Sequence, residues 1–233
     1  MNIKKTTQIA LLLAILLVSG FIITVMAWSK PPIKDPMAVG EIVVLQQDTP
    51  EIVHSVRGKK ALFIGDSHTA ADYGWQYQLC KKTGMIINNT AVGGKQTGWM
   101  LEVAKLSVSS NYDYCFIYGG ANDMAGNRPP IKSVKNIQAI VNLCLAKQVT
   151  PIVLTGFDPV TCVNVAGRDI YKGYPQRYAK FQQLLVDSIK GAKVVKTHCI
   201  SRTDCGDFLC HMTASGHKKM CNFVISACRF KRI

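Results

Sequence analysis

Acidic side chains are scarce in this sequence: 14 Asp and Glu stand against 28 Lys and Arg, a formal charge of +14 over 233 residues. A balance this basic favours anionic partners, such as acidic glycans, anionic lipid head groups or nucleic acid. No Arg/Lys run with interleaved aromatics accompanies it, so nucleic acid is the weakest of the three and is set aside. There is no C-x-x-C pair with a matching second pair, which removes the usual zinc modules. Cys199, Cys205 or Cys210 with His198 or His211 is a conceivable ligand set, but no metal is expected. Internal repeats and low-complexity tracts are also missing, so neither a solenoid nor an extended disordered array fits.

What is present begins with a long apolar run. Residues 9–28 are broken only by Ser19, Gly20 and Thr24. At ~1.5 Å per residue such a helix spans a ~30 Å hydrocarbon core. Lys4 and Lys5 precede it, which by the positive-inside rule keeps the N-terminus cytoplasmic and exports the rest. Val25-Met26-Ala27 resembles a small-residue cleavage site, so a cleaved signal peptide competes with an uncleaved signal anchor. Signal peptides carry a shorter apolar core, roughly 7–15 residues, which favours the anchor. Either way residues 1–29 form a leader, membrane contact runs through residues 9–28, and the chain beyond faces the periplasm or exterior. All nine cysteines lie in that exported part. Several are expected to pair there, the odd count leaving at least one free, with one or two bridges among the five from Cys199 to Cys228.

Residues 30–58 hold several prolines and little periodicity, a linker and lead-in. From 59 to 233 short apolar runs alternate with helix-length segments. Strands are expected at 60–66, 85–90, 112–120, 150–156 and 192–198. Helices are expected at 70–83, with Tyr73, Tyr77 and Cys80 at helical spacing, and then at 96–108, 131–148, 175–191 and 213–230. Alternation of this kind implies a five-stranded parallel sheet covered by helices on both faces, with any site at the strands' carboxyl ends.

The segments after those strands are polar or rich in glycine: Gly65-Asp66-Ser67-His68, "NTAVGGKQT", "GGANDM" and "DCGDFLCHMTASGH". An unassisted serine hydroxyl is a weak nucleophile, so Ser67 needs a base. His211 lies on the shared edge, and Asp207 or Asp204 could orient its imidazole. Backbone N–H groups at Ser67 and the Gly93-Gly94 turn, with the Asn122 amide, could stabilise a developing oxyanion, each donor worth about 3 kcal/mol. Asp66 and Asp123 are read as fixing their own turns. His68 lines a pocket or sits on the surface, His217 is exposed or packing, Trp75 and Trp99 fill the core, and Cys115 is a small buried hydrophobe.

These residues in this order resemble the SGNH (GDSL) hydrolase superfamily. "GDSH" matches its first block, Asn89 with Gly94 its second, Gly120-Ala121-Asn122-Asp123 its third, and His211 with Gly216 part of its fifth. The resemblance implies a flavodoxin-like three-layer α/β/α sandwich and ester hydrolysis without a cofactor. It makes Ser67 the nucleophile and His211 the base, with the Ser67 N–H, the Gly94 N–H and Asn122 as the oxyanion hole. The family's aspartate, three residues before the histidine, falls here on Phe208, so Asp207 is the expected third member and Asp204 the alternative. The expected substrate is an acylated glycan or cell-envelope polymer. A lysophospholipase or thioesterase, and a catalytically silent glycan-binding module, are the alternatives.

Overall fold

The computed structural model describes residues 53–157, 173–206 and 211–233. Five strands, β1 (Lys60–Gly65), β2 (Ile86–Asn89), β3 (Tyr114–Tyr118), β4 (Thr150–Leu154) and β5 (Lys193–Val195), form one parallel sheet in the order β2-β1-β3-β4-β5. Among the described residues the helices are α1 (Ser67–Ala70), α2 (Trp75–Thr83), α3 (Thr97–Ser107), α4 (Ala121–Ala125), α5 (Pro130–Ala146), α6 (Tyr174–Ser188) and α7 (Ala214–Cys228). The order reverses beside β1, since the chain leaves it for β2 on one side and returns to β3 on the other. In parallel sheets this reversal, at the carboxyl ends of β1 and β3, is where a site is expected.

Strand side chains alternate between two cores because successive residues point to opposite faces. Ala61 and Phe63 of β1, Phe116 and Tyr118 of β3, and Ile152 and Leu154 of β4 pack with Trp75 and Leu79 of α2 and Met220 and Val224 of α7. Leu62, Ile64, Cys115, Ile117 and Val153 face the other way, onto Met100 of α3, Ile137 and Val141 of α5 and Phe181 of α6. Both faces are covered over the central strands, which is why β1, β3 and β4 read as largely apolar runs. The expected three-layer α/β/α architecture is thus what forms.

Three expectations need correction. The helix expected over 70–83 is two pieces, α1 and α2, broken by a loop at residues 71–74. Its buried face is Trp75, Leu79, Cys80 and Thr83, whereas Tyr73 is 68% exposed because it lies in that loop. The short helix α4 was not anticipated. No disulfide joins the described cysteines: Cys80, Cys115, Cys144, Cys199, Cys205, Cys221 and Cys228 are free thiols, while Cys162 and Cys210 lie outside the described residues. Five of the seven are buried and pack as small hydrophobes. Burial pushes the Cys80 thiol up to about 12 and that of Cys228 to about 11.

The end of the lead-in packs on the domain: His54 bridges Phe230 and Val56 is buried. Among the described residues no helix is long and apolar enough to cross a membrane. The expected span at 9–28 lies outside them.

Candidate active site

The turn that carries Ser67 is set by the close approach of two strands. β1 ends at Gly65, where a Cβ would lie 2.5 Å from the backbone oxygen of Tyr118. Only glycine lets the chain pass there. Asp66 then caps α1, its Oδ1 accepting from the His68 N–H at 3.1 Å. A helix of four residues leaves most of its carbonyls without helical partners. Side chains from elsewhere take them. The Trp75 indole donates to His68 O at 3.1 Å, Gln76 Nε2 to Thr69 O at 2.6 Å and Ala71 O at 2.7 Å, and Asn89 Nδ2 to Thr69 O at 2.8 Å. Gln76 is fully buried for this purpose, and sequence reasoning missed it. Its only signal was an amide lodged beside Trp75 on an otherwise apolar face.

Opposite this turn stands His211. Its Nε2 lies 2.9 Å from Ser67 Oγ, although the two residues are 144 positions apart. For Nε2 to accept the hydroxyl proton, the ring must carry its own proton on Nδ1. The loop is held by Gly206 N–H donating to His211 O at 3.0 Å and by Thr213 N–H donating to Asp204 O at 2.8 Å. Thr213 also caps α7, its Oγ1 accepting from the Gly216 N–H. Asp204, the alternative third member, is engaged elsewhere: Oδ2 accepts from Lys219 Nζ, Ser201 N–H and Ser201 Oγ, each at 2.8 Å. Desolvation alone would raise its carboxyl, but these partners hold it below the usual range. Asp207 lies outside the described residues.

The glycine turn and Asn122 complete the ring around Ser67. Gly94 adopts φ +75°, a left-handed conformation suited to glycine, and a Cβ on Gly93 would lie 3.7 Å from Ser67 Cβ. Asn122 Nδ2 donates to Lys95 O at 3.0 Å and to Asp66 Oδ2 at 3.4 Å, so the amide bridges the glycine turn and the nucleophile turn. Its neighbour Asp123 is 1% exposed and accepts from Thr97 N–H at 2.8 Å, Thr97 Oγ1 at 2.7 Å and Ser133 Oγ at 2.9 Å. Asp123 therefore ties α4 to the starts of α3 and α5, which reaches further than its own loop. His68 is buried, stacked on Tyr118 at 5.5 Å, edge-on to Phe157 at 4.7 Å and 5.5 Å from His211. Trp75 is a core residue, while Trp99 is partly buried with Lys95 Nζ 5.5 Å from its ring centre. His217 is buried rather than exposed, and Trp75 N–H donates to its Nδ1 at 3.1 Å.

Two buried groups titrate abnormally, with opposite signs. Burial, with the Asp123 charge adding to it, raises Asp66 to about 7 against the hydrogen bond from His68 N–H. Burial, with His211 nearby, lowers His217 to about 4. A carboxyl raised in the folded state stabilises it fully below the ordinary value of 3.8, and that stabilisation is lost as pH rises through about 7. A lowered imidazole does the reverse: its stabilisation is complete above 6.5 and is lost as pH falls through about 4. Asp66→Asn, which stays neutral, should therefore gain stability relative to the wild type as pH rises from 4 to 8. Thermal melts across that range check this, and a pH-independent difference would contradict it.

Among the described residues no three His, Cys, Asp or Glu side chains are grouped to hold a metal ion. A cavity of about 320 Å³, lined by Lys59, Tyr112, Asp113 and Lys147 among others, opens at the amino ends of β1, β3 and β4. That is the opposite edge of the sheet from Ser67, and it is polar, so it takes no part in the chemistry above.

A serine turn after β1, an imidazole within hydrogen-bond reach of its hydroxyl and a glycine turn beside it are an arrangement suited to acyl transfer. Comparison with known proteins agrees. Residues 63–219 match the model of the GDSL-like lipase/acylhydrolase family. No protein of curated function matches the chain. Among solved structures, a member of the lipolytic G-D-S-L family from Veillonella parvula superposes with a TM-score of 0.60 at 16% identity, over 72% of this chain and 97% of that one. An acetylxylan esterase from Geobacillus stearothermophilus, solved as a catalytic mutant, gives 0.57 at 15% identity, over 75% and 96%. A psychrotrophic esterase from Pseudoalteromonas sp. gives 0.56 at 14% identity, over 72% and 96%. At these identities the structural likeness speaks for the fold, and the family match carries the rest. The chain belongs to the GDSL-like lipase/acylhydrolase family and is a serine ester hydrolase.

Proposed function

We propose that Ser67 attacks the ester carbonyl while His211 takes its proton, that His211 gives this proton to the alcohol as the ester C–O bond breaks, and that water activated by His211 then hydrolyses the acyl-enzyme to the free acid and Ser67. The observation that carries this is the 2.9 Å approach of His211 Nε2 to Ser67 Oγ. The Ser67 N–H, the Gly94 N–H and Asn122 Nδ2 receive the oxyanion, and Asn122 reaches it by giving up its long contact to Asp66. Asp207 orients the His211 ring, since Asp204 is committed to Lys219 and Ser201. Asp66, Asp123 and His68 support the site from behind.

The substrate in this reading is a short acyl ester, foremost O-acetyl, on a carbohydrate or cell-envelope polymer. The basic composition suits an anionic polymer, and one structural neighbour is an acetylxylan esterase. The chain is exported, with residues 9–28 as a membrane anchor or a cleaved signal peptide.

Aryl esters of rising chain length test the acyl preference. The expected order is acetyl well ahead of octanoyl in kcat/KM, with acetate released from an O-acetylated acidic polysaccharide. A preference for octanoyl or longer esters would replace the deacetylase with a lipid acylhydrolase.

A further inference from the structure

We propose that His217 is a positioning residue of the active site, tying the loop that carries His211 to the turn that carries Ser67 through Trp75. The inference rests on the Ser67–His211 reading given above. Helix α2 begins at Trp75 behind Gly74, and a glycine cap has no side chain to accept from first-turn amides. A Cβ at position 74 would lie 2.3 Å from Gln76 Oε1, so a self-capping residue is shut out there. The acceptor comes instead from α7, where His217 Nδ1 takes the Trp75 N–H at 3.1 Å. The same tryptophan donates its indole N–H to His68 O at 3.1 Å, directly beside the nucleophile.

Two hydrogen bonds thus run from His217 through Trp75 to His68, and all three residues are buried. The backbone N–H of His217 donates to Thr213 O at 2.9 Å, the first-turn bond that sets this residue on α7 just after His211. An Nδ1 acceptor requires a neutral ring with its proton on Nε2. Burial and the nearby His211 keep the ring neutral, and the Tyr73 ring sits edge-on to it at 6.0 Å. What the tie protects is a hydrogen bond between residues far apart in sequence. A misplacement of about 1 Å in such a pair can lower a rate about a hundredfold.

The full chain is tested with three variants assayed on aryl acetate at pH 8. His217→Phe fills the ring's space and removes the acceptor, and His217→Asn returns an oxygen near the place of Nδ1. Trp75→Phe removes the indole donor and leaves the backbone N–H. Expected for His217→Phe is a fall of at least roughly tenfold in kcat, with KM unchanged and fluorophosphonate labelling of Ser67 slowed in parallel. His217→Asn should recover most of it. Trp75→Phe should lower kcat severalfold, and with His217→Phe the double variant should lose less than the product of the two. A folded His217→Phe with wild-type kcat, or a His217→Asn no better than it, overturns the proposal. If His217→Phe does not fold, wild-type kcat in Trp75→Phe overturns it instead. A wild type that is not labelled at Ser67 removes the underlying reading first, and the inference with it.

Discussion

Ser67→Ala should lower kcat for any ester substrate by about a million-fold while leaving the fold intact, because in the proposed mechanism nucleophile and base act as a unit. The reason lies in the geometry. Ser67 Oγ lies 2.9 Å from His211 Nε2. His211→Ala should lose about as much, and the double variant no more than either single one. In the proposed mechanism what remains is the smaller contribution of the oxyanion donors assigned to the Gly93–Gly94 turn and Asn122, which depend on neither side chain removed. The check is kcat of the three variants on aryl acetate beside far-UV circular dichroism. Separate multiplicative losses would mean that the two residues do not work together.

Asp123→Ala destabilises the protein by about 3 kcal/mol or more, because it strips a buried acceptor from three donors at once. Thr97 N–H, Thr97 Oγ1 and Ser133 Oγ all converge on this carboxylate, which is 1% exposed. For a domain of this size such a loss lowers Tm by roughly 6–12 °C. Asp123→Asn keeps one acceptor oxygen and should lose less. Activity should fall too, since α4 carries Asn122 and is moored to α3 and α5 through this side chain. Urea unfolding followed alongside kcat checks both effects, and a variant of wild-type stability would contradict the account.

The strands and the site's main residues were legible in the sequence because each depends on local signals. A strand covered on both faces is a continuous apolar run, as at Ala61–Ile64 and Cys115–Tyr118, and a strand end is marked by glycine and acid. Ser67, the glycine turn, Asn122 and His211 were singled out by the segment each follows, and the structure brings Ser67 and His211 together. What was not legible depends on partners distant in the chain. The break between α1 and α2 is stabilised by His217, 142 residues from Trp75, and no local pattern announces a cap supplied from another helix. Gln76 is polar yet fully buried because its partners are the carbonyls of a turn whose shape the sequence does not display. Asp204 was the alternative to Asp207 by spacing, and its engagement with Lys219 and Ser201 depends on groups that spacing does not show. The described cysteines are free thiols although several were expected to pair, since crowding along the chain does not by itself supply the geometry a disulfide needs.

The most direct measurement is intact and peptide mass analysis of the folded full chain after treatment with a fluorophosphonate. The account predicts one adduct, on Ser67, formed by the wild type and lost in His211→Ala. A folded protein that hydrolyses aryl acetate but carries no adduct on Ser67 would contradict it.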